Sequence, residues 1–152
     1  MEIPSQNILL DVNVSDRDDL LKFISSKCQD LGYTDSSKEL YDSFLKREAD
    51  YSTGLQEGFA IPHAKTDAVK SAQIVYVRTT NPIDWKTYDD KPVTDIFALM
   101  VPESGVGTTH LQMLSNLATA LLEDDFKKEI RELNDSQKIS DYITKKIGVN
   151  VL

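Results

Sequence analysis

From Val93 to Val101 the chain is apolar at every position except Thr94 and Asp95. A strand with an almost continuous apolar run needs cover on both faces, so this segment reads as the central strand of a sheet packed between other layers. The rest of the chain must therefore supply neighbouring strands and amphipathic helices in an order compatible with a layered structure.

Those elements are legible on either side. Ile8 to Val14 alternates weakly and predicts a first edge strand, while from Gln73 the chain turns β, with Ile74 to Val77 rich in branched and aromatic residues. Asn81-Pro82 marks a turn before a short strand from Ile83 to Trp85, and Tyr88 to Pro92 forms a polar hairpin loop. Ser15-Asp16-Arg17-Asp18 resembles a capping box ahead of Leu20, Ile24, Cys28 and Leu31, and Gly32 supplies the stop. A second helix opens near Asp35-Ser36, carries Leu40, Tyr41, Phe44, Leu45 and Ala49 on one face, and ends over Lys46 to Asp50. Pro102 to Gly107 is a flexible loop, and Thr109 to Gln112 reads as a second capping box with His110 in the first helical turn. Leu111, Leu114, Leu117, Ala118 and Leu121 give that helix its buried face; Phe126, Ile130 and Leu133, then Ile139, Tyr142, Ile143 and Ile147, predict two shorter helices. Helices early, strands in the middle and helices late imply one α/β layer structure over residues 1–152, without repeats or an interdomain linker.

Charge and cysteine content narrow the function classes. The 152 residues hold 25 acidic and 17 basic side chains, a formal −8. Nucleic-acid binding needs a basic stripe, which this balance opposes; a basic protein partner would be favoured by electrostatic steering, and simple solubility charge accounts for the balance equally well. Trp85 and the tyrosines do not interleave with basic residues, so base stacking has no support. Cys28 is the single cysteine, which excludes an intrachain disulfide and suits a reducing compartment. The N-terminus does not resemble a signal peptide and no window reaches the ~18 apolar residues of a membrane span, so the expectation is a cytoplasmic chain.

Chemistry concentrates in Gly58-Phe59-Ala60-Ile61-Pro62-His63-Ala64-Lys65-Thr66-Asp67. Phe59 to Ile61 reads as a short buried strand, Pro62 ends it, His63 stands immediately beyond, and Thr66 and Asp67 offer caps for a new turn. The two histidines of the chain, His63 and His110, both follow a strand that ends at proline and precede residues able to start a helix. Strand exits gather ligand sites in open α/β sheets, so the two could converge on one cleft, with a helix N-terminus at His110 offering N–H donors to a phosphate. Two unrelated surface histidines are the competing reading of the same residues.

A neutral imidazole, with an ordinary pKa of about 6.5, is a competent nucleophile near neutral pH. Arg47 is a candidate phosphate partner or loop brace, because guanidinium pairs with phosphate bidentately and stays charged; a solvated helix-end cation is the alternative. Lys65 and Thr66 lie near enough in sequence to assist, and Glu48 and Glu103 suit the orienting of imidazoles or loops. Zinc requires three or four ligands, which His63, His110 and Cys28 do not supply unless carboxylates join. Gly54 with Gly58 lacks the nucleotide-loop pattern, and Cys28 belongs on an apolar helix face.

Arg47-Glu48, Ser52-Thr53-Gly54-Leu55 and the stretch through His63 resemble the signature of enzyme IIA domains of the fructose/mannitol type, part of the bacterial phosphoenolpyruvate-dependent sugar phosphotransferase system. Val101-Pro102-Glu103, then His110-Leu111 through Leu114 and Leu117, resembles a second signature; Ala64 departs from the glycine many members carry. The resemblance runs from about Ile8 to Ile147. It implies a single α/β domain, a mixed central sheet with helices on both faces. It also implies His63 as the transiently phosphorylated residue, with His110 beside it steadying the phosphoryl group. The phosphocarrier protein HPr would be the donor and a IIB domain the acceptor, with no cofactor or metal in the step. The nitrogen-related branch of the family, a phosphorylation-dependent binding switch, is the alternative role.

Overall fold

Val93–Val101 does take the inner position that its apolar run requires. In the computed structural model, which describes residues 3–148, this strand pairs with one long strand on one side and two short ones on the other. The strands are β1 (Ile8–Val12), β2 (Phe59–Ala60), β3 (His63–Lys65), β4 (Gln73–Ile83) and β5 (Val93–Val101). Their order is β1-β4-β5-β2, with β3 also on β5. β4 runs antiparallel to β5, whereas β2 and β3 run parallel to it, so the sheet is mixed. The helices among the described residues are α1 (Arg17–Asp30), α2 (Ser37–Asp50), α3 (Thr108–Ala120), α4 (Asp124–Glu132) and α5 (Ser136–Ile147). The fold class is α/β, as expected.

The chain divides into two compact units, Leu9–Gly105 and the described residues of Met1–Ile8 with Val106–Leu152. In the first, α1 and α2 bury Leu20, Leu21, Ile24, Leu40 and Phe44 against the sheet face that carries Ala60, Ala64, Val75, Val77, Ile96, Ala98 and Met100. Cys28 lies in this core, its thiol 3.4 Å from the Met100 sulfur. On the opposite sheet face the Phe97 ring sits 6.4 Å from that of Phe59 and 4.9 Å from that of Tyr76. There the Tyr76 hydroxyl donates to the buried Asp95 carboxylate.

Helix ends follow their caps, with small shifts from expectation. The cap of α1 is Asp16 rather than Ser15, accepting from the Asp19 N–H at 2.8 Å, and Asp19 reaches back to the Ser15 N–H at 2.9 Å. Gly32, at φ +80°, closes α1 in a Schellman turn, with Tyr33 N–H bonded to the Cys28 carbonyl and Gly32 N–H to that of Gln29. Ser36 caps α2 as expected. In the second unit, α5 is capped by Asp135 and holds the first described residues, because Ile3 N–H donates to Thr144 Oγ1 at 2.9 Å and Ser140 donates to the Ile3 carbonyl.

Three sequence expectations are corrected. Asn81-Pro82 is not a turn between strands: β4 continues through it to Ile83. Pairing with β5 shifts register between Arg78 and Ile83, and at such an irregularity the missing proline N–H costs no ladder bond. The Thr109 capping box does not form; α3 begins at Thr108 and its cap, Gly107, makes no side-chain bond, while Gln112 bonds Asn116 instead. The buried face of α3 is Met113, Leu117 and Ala120, leaving Leu111 60% exposed and Ala118 on the outside. Leu111 lies two positions before Met113, about 200° around the helix, so the two cannot share a face.

Candidate functional site

The segment that carries His63 is an edge strand with a gap rather than a strand followed by a corner. Phe59 pairs with Asp95 and His63 with Leu99, so the same register holds on both sides of Ile61-Pro62. Pro62 cannot donate to the ladder, yet its carbonyl still accepts the Leu99 N–H at 2.9 Å. This corrects the expectation that His63 stands beyond the strand's end and precedes a helix: it is the first residue of β3, and turns follow Lys65. Side chains alternate along β3, so Ala64 enters the core while His63 and Lys65 share the other face.

Both ends of this strand are tied down. Lys65 N–H donates to Ser43 Oγ of α2 at 3.1 Å, and that hydroxyl donates back to the Lys65 carbonyl at 3.2 Å. Thr66 N–H bonds the Val101 carbonyl, its hydroxyl accepts from Ala68 N–H at 3.1 Å, and Asp67 accepts from the Glu103 N–H at 3.0 Å. Upstream, the loop after α2 lies alongside β2. Ile61 N–H donates to the Thr53 carbonyl at 3.0 Å, Leu55 N–H to that of Phe59 at 2.9 Å, and Gly54 bridges Ala60. Buried Glu48 holds this loop by accepting from both the N–H and the hydroxyl of Thr53. Ser52 and Tyr88 complete the attachment, through Ser52 Oγ to the Lys86 carbonyl at 2.6 Å and Tyr88 N–H to that of Leu55 at 2.8 Å.

On this frame the His63 ring is half-buried. Nδ1 is the buried nitrogen and has no hydrogen-bond partner among the described residues, which leaves Nε2 as the nitrogen open to an incoming group. Burial pushes the ring's pKa below its usual 6.5, and the Arg47 charge pushes it the same way, while the Ile61 backbone opposes them to a lesser extent. The ring is thus held neutral near pH 7. Arg47, in the last turn of α2, donates from Nη1 to the Tyr51 carbonyl at 2.8 Å and stacks on the Tyr51 ring.

Of the residues singled out in sequence, His63, Arg47, Lys65 and Thr66 are brought together in the first unit. Glu48 acts on a loop through Thr53, while Glu103 contributes its backbone N–H, to Asp67. His110 is carried by the second unit, half-exposed in the first turn of α3 as expected. Sequence reasoning missed Ser43 and Tyr51, for which no local signal exists. It also placed Ala49, which is exposed, on the apolar face of α2, where Glu48 follows Leu40 and Phe44 at intervals of four. A carboxylate continuing an apolar helical stripe signals a buried, partnered charge. Among the described residues no cluster of three or more histidine, cysteine or carboxylate side chains is arranged to hold a metal ion, and no helix is long and apolar enough to cross a membrane.

The pattern of the family described as "Phosphoenolpyruvate-dependent sugar phosphotransferase system, EIIA 2" matches residues 2–146. The chain is 33% identical to the PTS system fructose-specific EIIA component of Haloferax volcanii, over 92% of this chain and 90% of that protein. It is 28% identical to the PTS system fructose-specific EIIABC component of Bacillus subtilis, over 93% of this chain but only 22% of that longer protein. Among solved structures, the nitrogen regulatory protein IIA-Ntr of Neisseria meningitidis superposes with a TM-score of 0.79 at 30% identity, covering 93% of this chain and 96% of that one. The chain belongs to the EIIA type 2 family of the sugar phosphotransferase system.

Proposed function

We propose that this chain relays a phosphoryl group in sugar uptake, accepting it on His63 from the phosphohistidine of HPr and passing it to a IIB domain. The observation that carries this reading is His63 itself: a neutral imidazole with an open Nε2, on a strand pinned at both ends and tied by Ser43 to the helix that carries Arg47. In the accepting step the donor's P–N bond breaks as a new P–N bond forms at Nε2. The proton of the attacking ring is released and the departing imidazole takes one up, so no external base as strong as serine would need is required. The transition state is loose and spreads charge over three equatorial oxygens, so positioned donors do most of the work. Arg47 supplies such donors from within the first unit. His110 supplies a further one, a role the family resemblance implies for it. Family membership supports the relay in general, and the fructose-specific names of two relatives support sugar transport as the setting. The joined A, B and C components in the name of the longer relative support a IIB partner. In this reading residues 1–152 act as one cytoplasmic EIIA domain.

Incubation with phosphoenolpyruvate, enzyme I and HPr tests the reading. An acid-labile phosphate should appear on the wild type and be absent from His63→Ala; label that persists in the variant refutes the assignment. His110→Ala should remain modifiable on His63 but transfer more slowly to the IIB domain, and unchanged rates would remove its role. The 30% identity to a nitrogen regulatory protein supports a second reading, in which phosphorylation of the same histidine switches binding to a regulated protein. Fast transfer to a IIB domain favours transport; no transfer, with a binding partner lost or gained on phosphorylation, favours regulation.

A further inference from the structure

We infer that Tyr51 is a positioning residue for His63, gripping the Arg47 guanidinium with its carbonyl and its ring so that the cation stays beside the imidazole; this rests on the phosphoryl-acceptor reading of His63. Tyr51 is the first residue after α2, with extended backbone at φ −167° and ψ 154°. That turn of the chain brings its carbonyl back to Arg47 Nη1 at 2.8 Å, and its ring under the guanidinium with 4.5 Å from Cζ to the ring centroid. One residue therefore holds the same cation twice, along two directions.

Without such a hold an arginine at a helix end samples many rotamers of a long stem, and ordering it on an incoming anion costs free energy. The grip at Tyr51 removes part of that cost beforehand. It also leaves most of the fork unused, since guanidinium carries five N–H donors and Arg47 makes no other hydrogen bond among the described residues. A cation that is fixed in place but largely uncommitted suits an anion that arrives and leaves. Tyr51 is 71% exposed, so its side chain adds little to the core and its removal should leave the fold intact.

Other charges near the ring do not duplicate this role within the first unit. Lys65 shares the face of His63 on β3 but is exposed on a flexible stem, and Glu48 of α2 is turned onto Thr53. The β5 residue paired with His63, Leu99, is apolar. Ser43, one turn before Arg47 on α2, is bonded to the Lys65 backbone two residues along β3 from His63, so the last turn of α2 lies against this strand; the lowering of the His63 pKa by Arg47 agrees with that placement.

The test is an NMR titration of His63 in the unphosphorylated protein, with Tyr51→Ala, Tyr51→Phe, Arg47→Ala and the Arg47→Ala/Tyr51→Ala pair. Tyr51→Ala, which removes the ring but leaves the backbone carbonyl in place, should raise the His63 pKa by less than Arg47→Ala does, and Tyr51→Phe, which keeps the ring, should restore it. In the Arg47→Ala background the Tyr51 change should add nothing, as expected for a residue that acts only through the arginine. Phosphoryl acceptance should slow several-fold in Tyr51→Ala and recover in Tyr51→Phe. A wild-type pKa in Tyr51→Ala, or a shift of equal size without Arg47, overturns the inference. A wild-type protein that takes up no phosphoryl group overturns the proposed function instead, while the titration still decides the grip.

Discussion

Glu48 accepts two hydrogen bonds from Thr53, from its N–H at 3.2 Å and from its hydroxyl, and so fastens the loop after α2 beside the strand that bears His63. Both residues are buried, at 5% and 4% exposure, so neither group has water as a substitute partner. Replacing Glu48 with Ala strands the Thr53 donors, at a cost of about 1–3 kcal/mol. Chemical denaturation should show a lowered midpoint. Phosphoryl acceptance should fall as well, because Thr53 in turn holds Ile61 through its carbonyl.

Gly54 is required for space rather than for backbone freedom. A Cβ there would lie 2.3 Å from the Lys86 carbonyl oxygen and 2.8 Å from Thr87 Cγ2. The first is a backbone atom that cannot rotate away, so Gly54→Ala must part the loop from the Lys86–Thr87 segment and cost about 1–3 kcal/mol of overpacking. The expected result is a lower melting temperature together with slower phosphoryl acceptance; an unchanged Tm would show that Lys86 yields freely.

The pH response of His63 has a definite sign. Its folded-state pKa lies below 6.5, so above 6.5 the ring is neutral in both folded and unfolded chains and its contribution to stability is complete. As pH falls through the lowered value the unfolded chain binds the extra proton more readily, and that contribution is lost. His63→Gln should flatten this part of the stability profile. In Arg47→Ala, NMR titration should place the His63 pKa nearer to 6.5 than in the wild type.

Cys28 should be chemically silent in the folded protein. It is fully buried, and burial raises its thiol pKa to about 12, so almost no thiolate exists at neutral pH. A thiol reagent should label it only as fast as the core opens, with labelling accelerating in denaturant; rapid stoichiometric reaction under native conditions would contradict its placement.

Much of the architecture was legible because local signals and burial agreed. The β5 run, the Ile74–Val77 segment, the Gly32 stop and the stripes of α1, α4 and α5 all appear where the pattern puts them. Prolines misled, for one reason in two places. Pro62 and Pro82 suggest strand ends in the sequence, yet the chain stays extended through both, since β3 resumes in unchanged register and the Pro82 region coincides with a shift in β4–β5 pairing. Proline removes one donor; whether a strand ends there depends on whether its neighbour needed that donor. The face of α3 was misjudged because four leucines drew attention from Met113, which sets the phase of the buried stripe.

By itself the sequence determined the fold class, the family and the identity of His63 and Arg47 as candidate groups, because a continuous apolar strand and two separated motifs are properties of residue order. Tertiary structure alone decided which nitrogen of His63 stays open, that Glu48 and Thr53 brace its strand, that Ser43 pins Lys65, and that Tyr51 holds Arg47. These depend on where backbone carbonyls and hydroxyls come to rest once the chain has packed. Hydrogen bonds are satisfied by neighbours in space, and no spacing along the chain records them.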